Sequence, residues 1–475
     1  MPEPRGFLTH PRRDPEKEPA SERVRHFREI ERRLPVVTAR EQAARCMGCG
    51  VPFCHSGCPL GNAIPDWNDL VREDRWRAAS TSLHATNNFP EVTGRICPAP
   101  CEAACVNALD SDAVTIRAIE RAIADRAADE GLLPRPAERK TGRRVAIIGS
   151  GPAGLACAQQ LARAGHDVTV YERDDRPGGL LRYGIPDFKL DKAVIDARVR
   201  QMEAEGVRFQ TGVEVGRDVT IGALRTNHQA VVVATGSGRP RDLAVPGRDL
   251  ANVHFAMDYL VRANRAVAGD VVADQITATH KRVLVLGGGD TGADCVGTAH
   301  RQGAASVVQI ELMPRPPEAR SPKNPWPEWP LVLRTSTSLE EGGAREFGLL
   351  TKRLVGDERG AVKALEAARV TWDGGVMKET GELDSFDCDL VLLALGFVGP
   401  DPAAWRGGAL TLDERGNVRA PIGSFATSTD GVFACGDARR GASLVVWAIW
   451  EGREAARAVD AYLLGESRLP SSPLL

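Results

Sequence analysis

The chain has 475 residues, 43% hydrophobic and 26% charged, an ordinary globular composition that excludes a fibrous or largely disordered protein. Its 61 Lys+Arg against 63 Asp+Glu leave a formal charge of -2, so no whole-chain basic field draws it to nucleic acid or to an anionic membrane. The length predicts about three domains, and the lack of an apolar leader or of any run near about 18 apolar residues predicts a cytoplasmic protein without a membrane span.

Residues 11–34 are charge-rich and bounded by Pro15, Pro19 and Pro35, which predicts a solvated surface arm with a short helix. Seven of the 11 cysteines then fall between Cys46 and Cys105. Thiols stay reduced in the cytosol, so these read as metal or redox ligands rather than disulfides. The first group is Cys46-x2-Cys49-x4-Cys54-x3-Cys58-Pro59, and the second is Cys97-Pro98-x2-Cys101-x3-Cys105. The first is similar to the bacterial ferredoxin run, in which the cysteine before proline ligates the other cluster. By that logic Cys46, Cys49 and Cys54 hold one 4Fe-4S cluster and Cys58 crosses to a second. Two clusters need about eight ligands, four each, so one cysteine of the second group must serve the first cluster and one ligand must be something else. Glu120 is a candidate, because it falls among Ile116, Ile119 and Ile123 on the apolar stripe of a helix, where an unpaired carboxylate is costly. A salt bridge to Arg117 or a neighbouring segment is the alternative for Glu120, and a pair of zinc sites the alternative for the cysteines.

The helical pattern ends near 127 and a linker is expected at 131–143. RRVAIIG then leads into Gly149-Ser150-Gly151-Pro152-Ala153-Gly154, the helical LACAQQLARAG and the strand DVTVYE, a dinucleotide fingerprint in its βαβ context. Gly149 makes the turn, Gly151 admits a pyrophosphate, Gly154 permits close packing and Glu172 stands at the ribose-binding distance. With the turn at Gly179, VVVATGS and TDGVFACGD, the arrangement looks like two-dinucleotide-binding flavoproteins, in which Asp437, after Gly436, would bond the ribityl chain of FAD. A second unit starts at KRVLVLG and carries Gly287, Gly289, Asp290, Thr291 and Gly292 for NADH or NADPH. Glu311 at its next strand end favours NADH, whereas Arg315, Arg320 and Lys323 could hold a 2′-phosphate. The stretch PRPPEARSPKNPWPEWP is too proline-rich for helix or central strand and reads as a loop over this unit. Cys157 and Cys295 stand alone in sequence, so electrons are expected to leave through the N-terminal clusters rather than a disulfide.

GFLTHPRR, CMGCGVPFCHSGCPLGN, CPAPCEAAC, TIRAIERAIADRA, GSGPAGLACAQQLARAGHDVTVYERDDRPGGLLRYGIPDFKLDK, GGGDTGADC and GVFACGDARRGASLVVWAI together resemble the small (β) subunit of bacterial glutamate synthase over essentially the full length. The resemblance implies an α/β protein: an N-terminal α-helical iron–sulfur domain (1–140) followed by two Rossmann-like, adrenodoxin-reductase-like domains. These bind FAD (141–250 and 400–475) and NAD(P)H (251–399). It implies Cys46, Cys49, Cys54 and Cys105 on one cluster and Cys58, Cys97, Cys101 and Glu120 on the other. The loop after the second Rossmann strand looks instead like the eukaryotic NADH-dependent enzymes.

The implied function is electron input. NAD(P)H is oxidised through FAD, and electrons pass by two 4Fe-4S clusters to a large (α) subunit carrying FMN, which makes glutamate from glutamine and 2-oxoglutarate in a hetero-oligomer. An NAD(P)H:ferredoxin oxidoreductase subunit, or the electron-input module of another reductase, is the alternative. A flavin-binding sensor or zinc-stabilised interaction protein without turnover is a third reading.

Overall fold

A computed structural model describes residues 5–132, 140–405 and 410–472; the centre of the expected linker, 133–139, lies outside the described residues. The N-terminal part is helical: α1 (Val36–Ala44), α2 (Ile64–Arg72), α3 (Trp76–Thr86), α4 (Pro90–Ile96) and α5 (Ile116–Asp129). In α5 the spacing of Ile116, Ile119 and Ile123 puts all three on one buried face. A Cβ on Gly94 of α4 would stand 2.7 Å from the Arg121 nitrogen of α5, so only glycine allows these two backbones to approach this closely.

Next come β1 (Arg144–Ile148), α6 (Pro152–Arg163), β2 (Asp167–Tyr171), α7 (Lys192–Ala204), β3 (Arg208–Gln210) and β4 (Ala230–Val233). They are followed by β5 (Val253–Phe255), α8 (Ala256–Val267), β6 (Arg282–Leu286), α9 (Asp290–Arg301), β7 (Ser306–Glu311) and β8 (Ala344–Phe347). The remainder holds β9 (Leu349–Gly356), β10 (Val362–Asp373), β11 (Val376–Asp387), β12 (Leu390–Leu393), β13 (Val432–Ala434) and α10 (Val445–Leu464). Two parallel five-stranded sheets result, in the orders β13-β4-β1-β2-β3 and β5-β12-β6-β7-β8. Their central strands are continuous apolar runs because helices or sheets cover both faces. An antiparallel meander β9-β10-β11 packs its apolar side, with Leu354 and Leu365, onto the second sheet.

Trp67, Phe89 and Ile119 of the helical part share one continuous core with Val145 and Val232 of the first sheet and Ile449 of α10. Asn88 carries a polar tie across this seam, donating to Gln159 at 2.7 Å and accepting from Arg453 at 2.6 Å. The helical part is therefore set rigidly against the first sheet.

Two loop expectations change. The arm at 11–34 includes the short helix Ala20–Arg23, but it is not a solvated lead-in: Arg23 and Ile30 are buried. Arg23 bonds Glu340 and Glu341, and the Ile30 N–H donates to the Phe188 carbonyl, so the arm binds both nucleotide-binding units together. The proline-rich loop also reaches beyond the second unit. Trp326 lies against Phe53 with ring centroids 4.6 Å apart, and Arg320 donates to the Ala103 carbonyl.

Candidate functional site

The two cysteine groups sit on short loops pressed together at Gly57, whose Cβ, were there one, would stand 2.7 Å from that of Ala104. Cys46 follows α1; Cys54 lies in the short helix Phe53–Gly57 and Cys58 caps it; Cys97 caps α4 and Cys101 lies in Pro100–Ala103. Between Cys97 and Cys101, Ala99 is held at φ +58, a left-handed conformation unusual for a residue with a Cβ. Cys46, Cys49, Cys54 and Cys105 line one small cavity, while Cys58, Cys97, Cys101 and Glu120 line a second. Among the described residues no three His, Cys, Asp or Glu side chains converge on a single metal-ion position. Each quartet instead surrounds a space, which suits a multi-atom cluster.

Burial pushes the Cys46 and Cys58 thiols up to about 11 and raises those of Cys54, Cys97 and Cys101 too. Bare thiolates are thus disfavoured, and the positive charge of iron is what such ligands require. The fully buried Asn68 amide finds no nitrogen or oxygen partner and stands beside Cys46, where it favours the thiolate. Glu120 does not form the alternative salt bridge. Arg117 pairs with Glu31 at 2.8 Å, while Glu120 Oε1 accepts from Asn87 and Thr93, each at 2.8 Å. Burial holds the Glu120 carboxyl up at about 7.

In the first glycine turn Gly149 has φ +99, and a Cβ on Gly154 would stand 2.0 Å from the Gly149 carbonyl oxygen. Gly151 faces open space at the N-terminus of α6, where a pyrophosphate would lie against free backbone N–H groups. Glu172 is not free: it accepts from the N–H and hydroxyl of Ser150 and from the Asp174 N–H. Ser150 Oγ in turn accepts from the Gly178 N–H at 2.9 Å, drawing Gly179 to the edge of the turn. Gly436 has φ +68, and its N–H donates to the buried Glu451 of α10. Asp437 accepts from Ser443 at 2.7 Å, and burial raises its carboxyl to about 6. These cradles fit FAD. Cys157 and Cys435 are both free and buried here.

The second turn repeats the first. A Cβ on Gly287 would stand 2.3 Å from the Ala394 carbonyl oxygen and one on Gly292 2.3 Å from that of Gly287, while Gly289 faces open space. Asp290 and Thr291 form the first turn of α9. Glu311, at the end of β7, is ion-paired with Arg345 of β8 at 2.6 Å. The other basic candidates are directed elsewhere: Arg315 to Glu318, Arg320 to the Glu328 and Ala103 carbonyls, with Lys323 in solvent.

Between the parts lies a cavity of about 450 Å³ lined by Lys189, Asp290, Asp294, Ser443, Leu444 and Val445 among others. The N-terminus of α10 opens into it without a side-chain cap, presenting the positive end of that helix. Lys189 and the buried Asp294 are ion-paired at 2.6 Å. Cys97 and Arg117 line both this cavity and the space of the second quartet, and Ile64 and Ile116 line the spaces of both quartets. The three spaces form a row with shared walls.

Arg345, Glu451, Gly57 and the Lys189–Asp294 pair were not singled out from the sequence. Only the glycine carried a local signal, its place between Cys54 and Cys58.

Residues 23–132 match the family described as dihydropyrimidine dehydrogenase domain II, 4Fe-4S cluster, and residues 143–324 match pyridine nucleotide-disulphide oxidoreductase. The glutamate synthase [NADPH] small chain of Mycobacterium tuberculosis is 54% identical over 99% of this chain and 98% of its own length. That of Bacillus subtilis is 44% identical over 99% and 100%. The glutamate synthase [NADH] of Schizosaccharomyces pombe is 48% identical over 98% of this chain, which spans 23% of that protein. Among solved structures, Mycobacterium tuberculosis FprA in complex with NADPH superposes with a TM-score of 0.53 at 20% identity, covering 68% of this chain and 85% of that one, a likeness of fold. No described helix is long and apolar enough to cross a membrane.

Proposed function

This chain belongs to the glutamate synthase small-chain family, and we propose that it delivers electrons from NAD(P)H to a large subunit through FAD and two 4Fe-4S clusters. One observation carries the reading: the large cavity at the N-terminus of α10, the second quartet and the first quartet lie in a row with shared walls. Bound FAD supplies the conversion of a two-electron hydride into single electrons, and the clusters supply one-electron carriage.

The residues do the positioning. Gly149, Gly151 and Gly154 seat the FAD pyrophosphate, with Glu172 and Gly179 bracing that turn and Gly436 and Asp437 at the flavin end. Gly287, Gly289 and Gly292, with Asp290 and Thr291, seat the nicotinamide nucleotide, and Glu311 bounds its ribose. The uncapped amides at Leu444 and Val445 favour negative charge in the large cavity. Cys58, Cys97, Cys101 and Glu120 ligate the nearer cluster; Cys46, Cys49, Cys54 and Cys105 ligate the farther one. The half-exposed Cys49 side then faces the large subunit, which carries FMN.

We assign residues 1–140 to the iron–sulfur domain, 141–250 and 400–475 to the FAD domain and 251–399 to the NAD(P)H domain. The test is anaerobic purification of the native complex through a tag on this chain. NAD(P)H oxidation should require glutamine and 2-oxoglutarate together. Oxidation indifferent to both but responsive to ferredoxin would replace this acceptor with the alternative one.

A further inference from the structure

The ribose end of the second glycine turn differs in charge from that of the first. In the first, Glu172 is held by neutral donors, the N–H and hydroxyl of Ser150. In the second, Gly288 takes the place of Ser150 and supplies no hydroxyl. The Glu311 carboxylate lies so close over Gly288 that a Cβ there would meet its atoms at 1.9–2.1 Å. Its holding partner is a cation: Arg345 donates from Nε and Nη2 to Glu311 Oε1 at 2.9 and 2.6 Å. Arg345 is itself fixed, with Nη1 on the Arg334 carbonyl at 2.9 Å and its guanidinium 5.0 Å from the Phe347 ring centre. Both side chains of the pair are mostly buried, 19% and 16% exposed, where solvent screens charge less than at a free surface.

A lone carboxylate at this strand end accepts ribose hydroxyls and repels a 2′-phosphate. Here the adjoining guanidinium cancels that field, leaves Glu311 Oε2 to accept a hydroxyl, and offers the planar cation best suited to a phosphate. Resting on the reading of this turn as the nicotinamide nucleotide site, we propose that Arg345 sets nucleotide preference. It neutralises Glu311, so the site admits an adenosine ribose with a 2′-phosphate as well as one without. In the basic run after β7, Arg315 and Arg320 are bonded elsewhere.

The test is calorimetric titration of the full FAD-loaded chain with 2′,5′-ADP and with 5′-AMP, for the wild type, Arg345→Gln and Glu311→Gln. The affinity ratio of 2′,5′-ADP to 5′-AMP should fall by about tenfold or more in R345Q and rise in E311Q. The ratio of kcat/KM for NADPH to that for NADH should move the same way in each. Ratios that move in the same direction in both variants, or stay within about threefold of wild type, overturn the proposal while leaving the site reading intact. A wild type that binds neither adenine nucleotide overturns both. If R345Q does not fold, Arg345→Met takes its place, with the same fall in the ratio expected and an unchanged ratio overturning the proposal.

Discussion

Arg301 and Glu341 form an ion pair of 2.6 Å in which neither side chain is exposed to solvent at all. Arg23 of the N-terminal arm donates to the same carboxylate at 2.7 Å, and the Arg301 guanidinium lies 3.7 Å from the Phe188 ring centre. One buried anion therefore holds two cations, one from α9 and one from the arm. Replacing Glu341 by Gln leaves the buried Arg301 without its anion and Arg23 with only the partly exposed Glu340, and should cost about 3–5 kcal/mol. Lys17→Ala, which removes only a partly exposed partner of Glu340, should cost less than about 1 kcal/mol. Urea unfolding of the two variants makes the comparison.

On the proposed assignment, the two glycine turns separate flavin binding from nucleotide binding. Gly154→Ala puts a methyl 2.0 Å from a carbonyl oxygen in the first turn, and Gly292→Ala puts one 2.3 Å from a carbonyl oxygen in the second. The first variant should lose bound flavin. The second should keep flavin, read from its visible absorbance, and lose NAD(P)H oxidation with a dye acceptor by about 100-fold or more.

Glu120 can be tested by counting iron. With two cubane clusters the chain carries about eight irons, and Glu120→Ala should lower this toward about four while leaving the other quartet filled. Unchanged iron would reduce Glu120 to an acceptor for Asn87 and Thr93.

His84 gives a pH signature. It is buried on α3 with Nε2 unpartnered, and burial, reinforced by Arg198, lowers it from 6.5 to about 4. Between these values the unfolded chain binds the proton that the folded chain excludes. Stability should therefore fall as pH drops from about 6.5 to about 4, by about 3 kcal/mol from this group. His84→Gln should flatten that part of the curve in denaturant titrations at several pH values.

Signals confined to a few residues were legible in the sequence: the glycine turns, the cysteine spacing and the isoleucine stripe that carries Glu120. Each is fixed by local backbone geometry or by ligand reach. Arg345 was not legible, because its partner Glu311 sits one strand away across a loop, and nothing in either local string announces the pair. The arm was misread for a related reason. Its charges suggest solvent until Glu340 and Glu341, far along the chain, fold back onto Lys17 and Arg23. The proline content of the long loop excluded regular structure but could not indicate that Trp326 would cover Phe53.

On the proposed reading, electrons leave through the cysteine quartets. The decisive measurement is made on the Cys54→Ser complex under anaerobic conditions: the rate of NAD(P)H oxidation with a dye that takes electrons from the flavin, set against the rate of glutamate formation from glutamine and 2-oxoglutarate. On that reading dye reduction persists while glutamate formation collapses. Glutamate formation at the wild-type rate, in a complex whose first quartet has lost its iron, would contradict it.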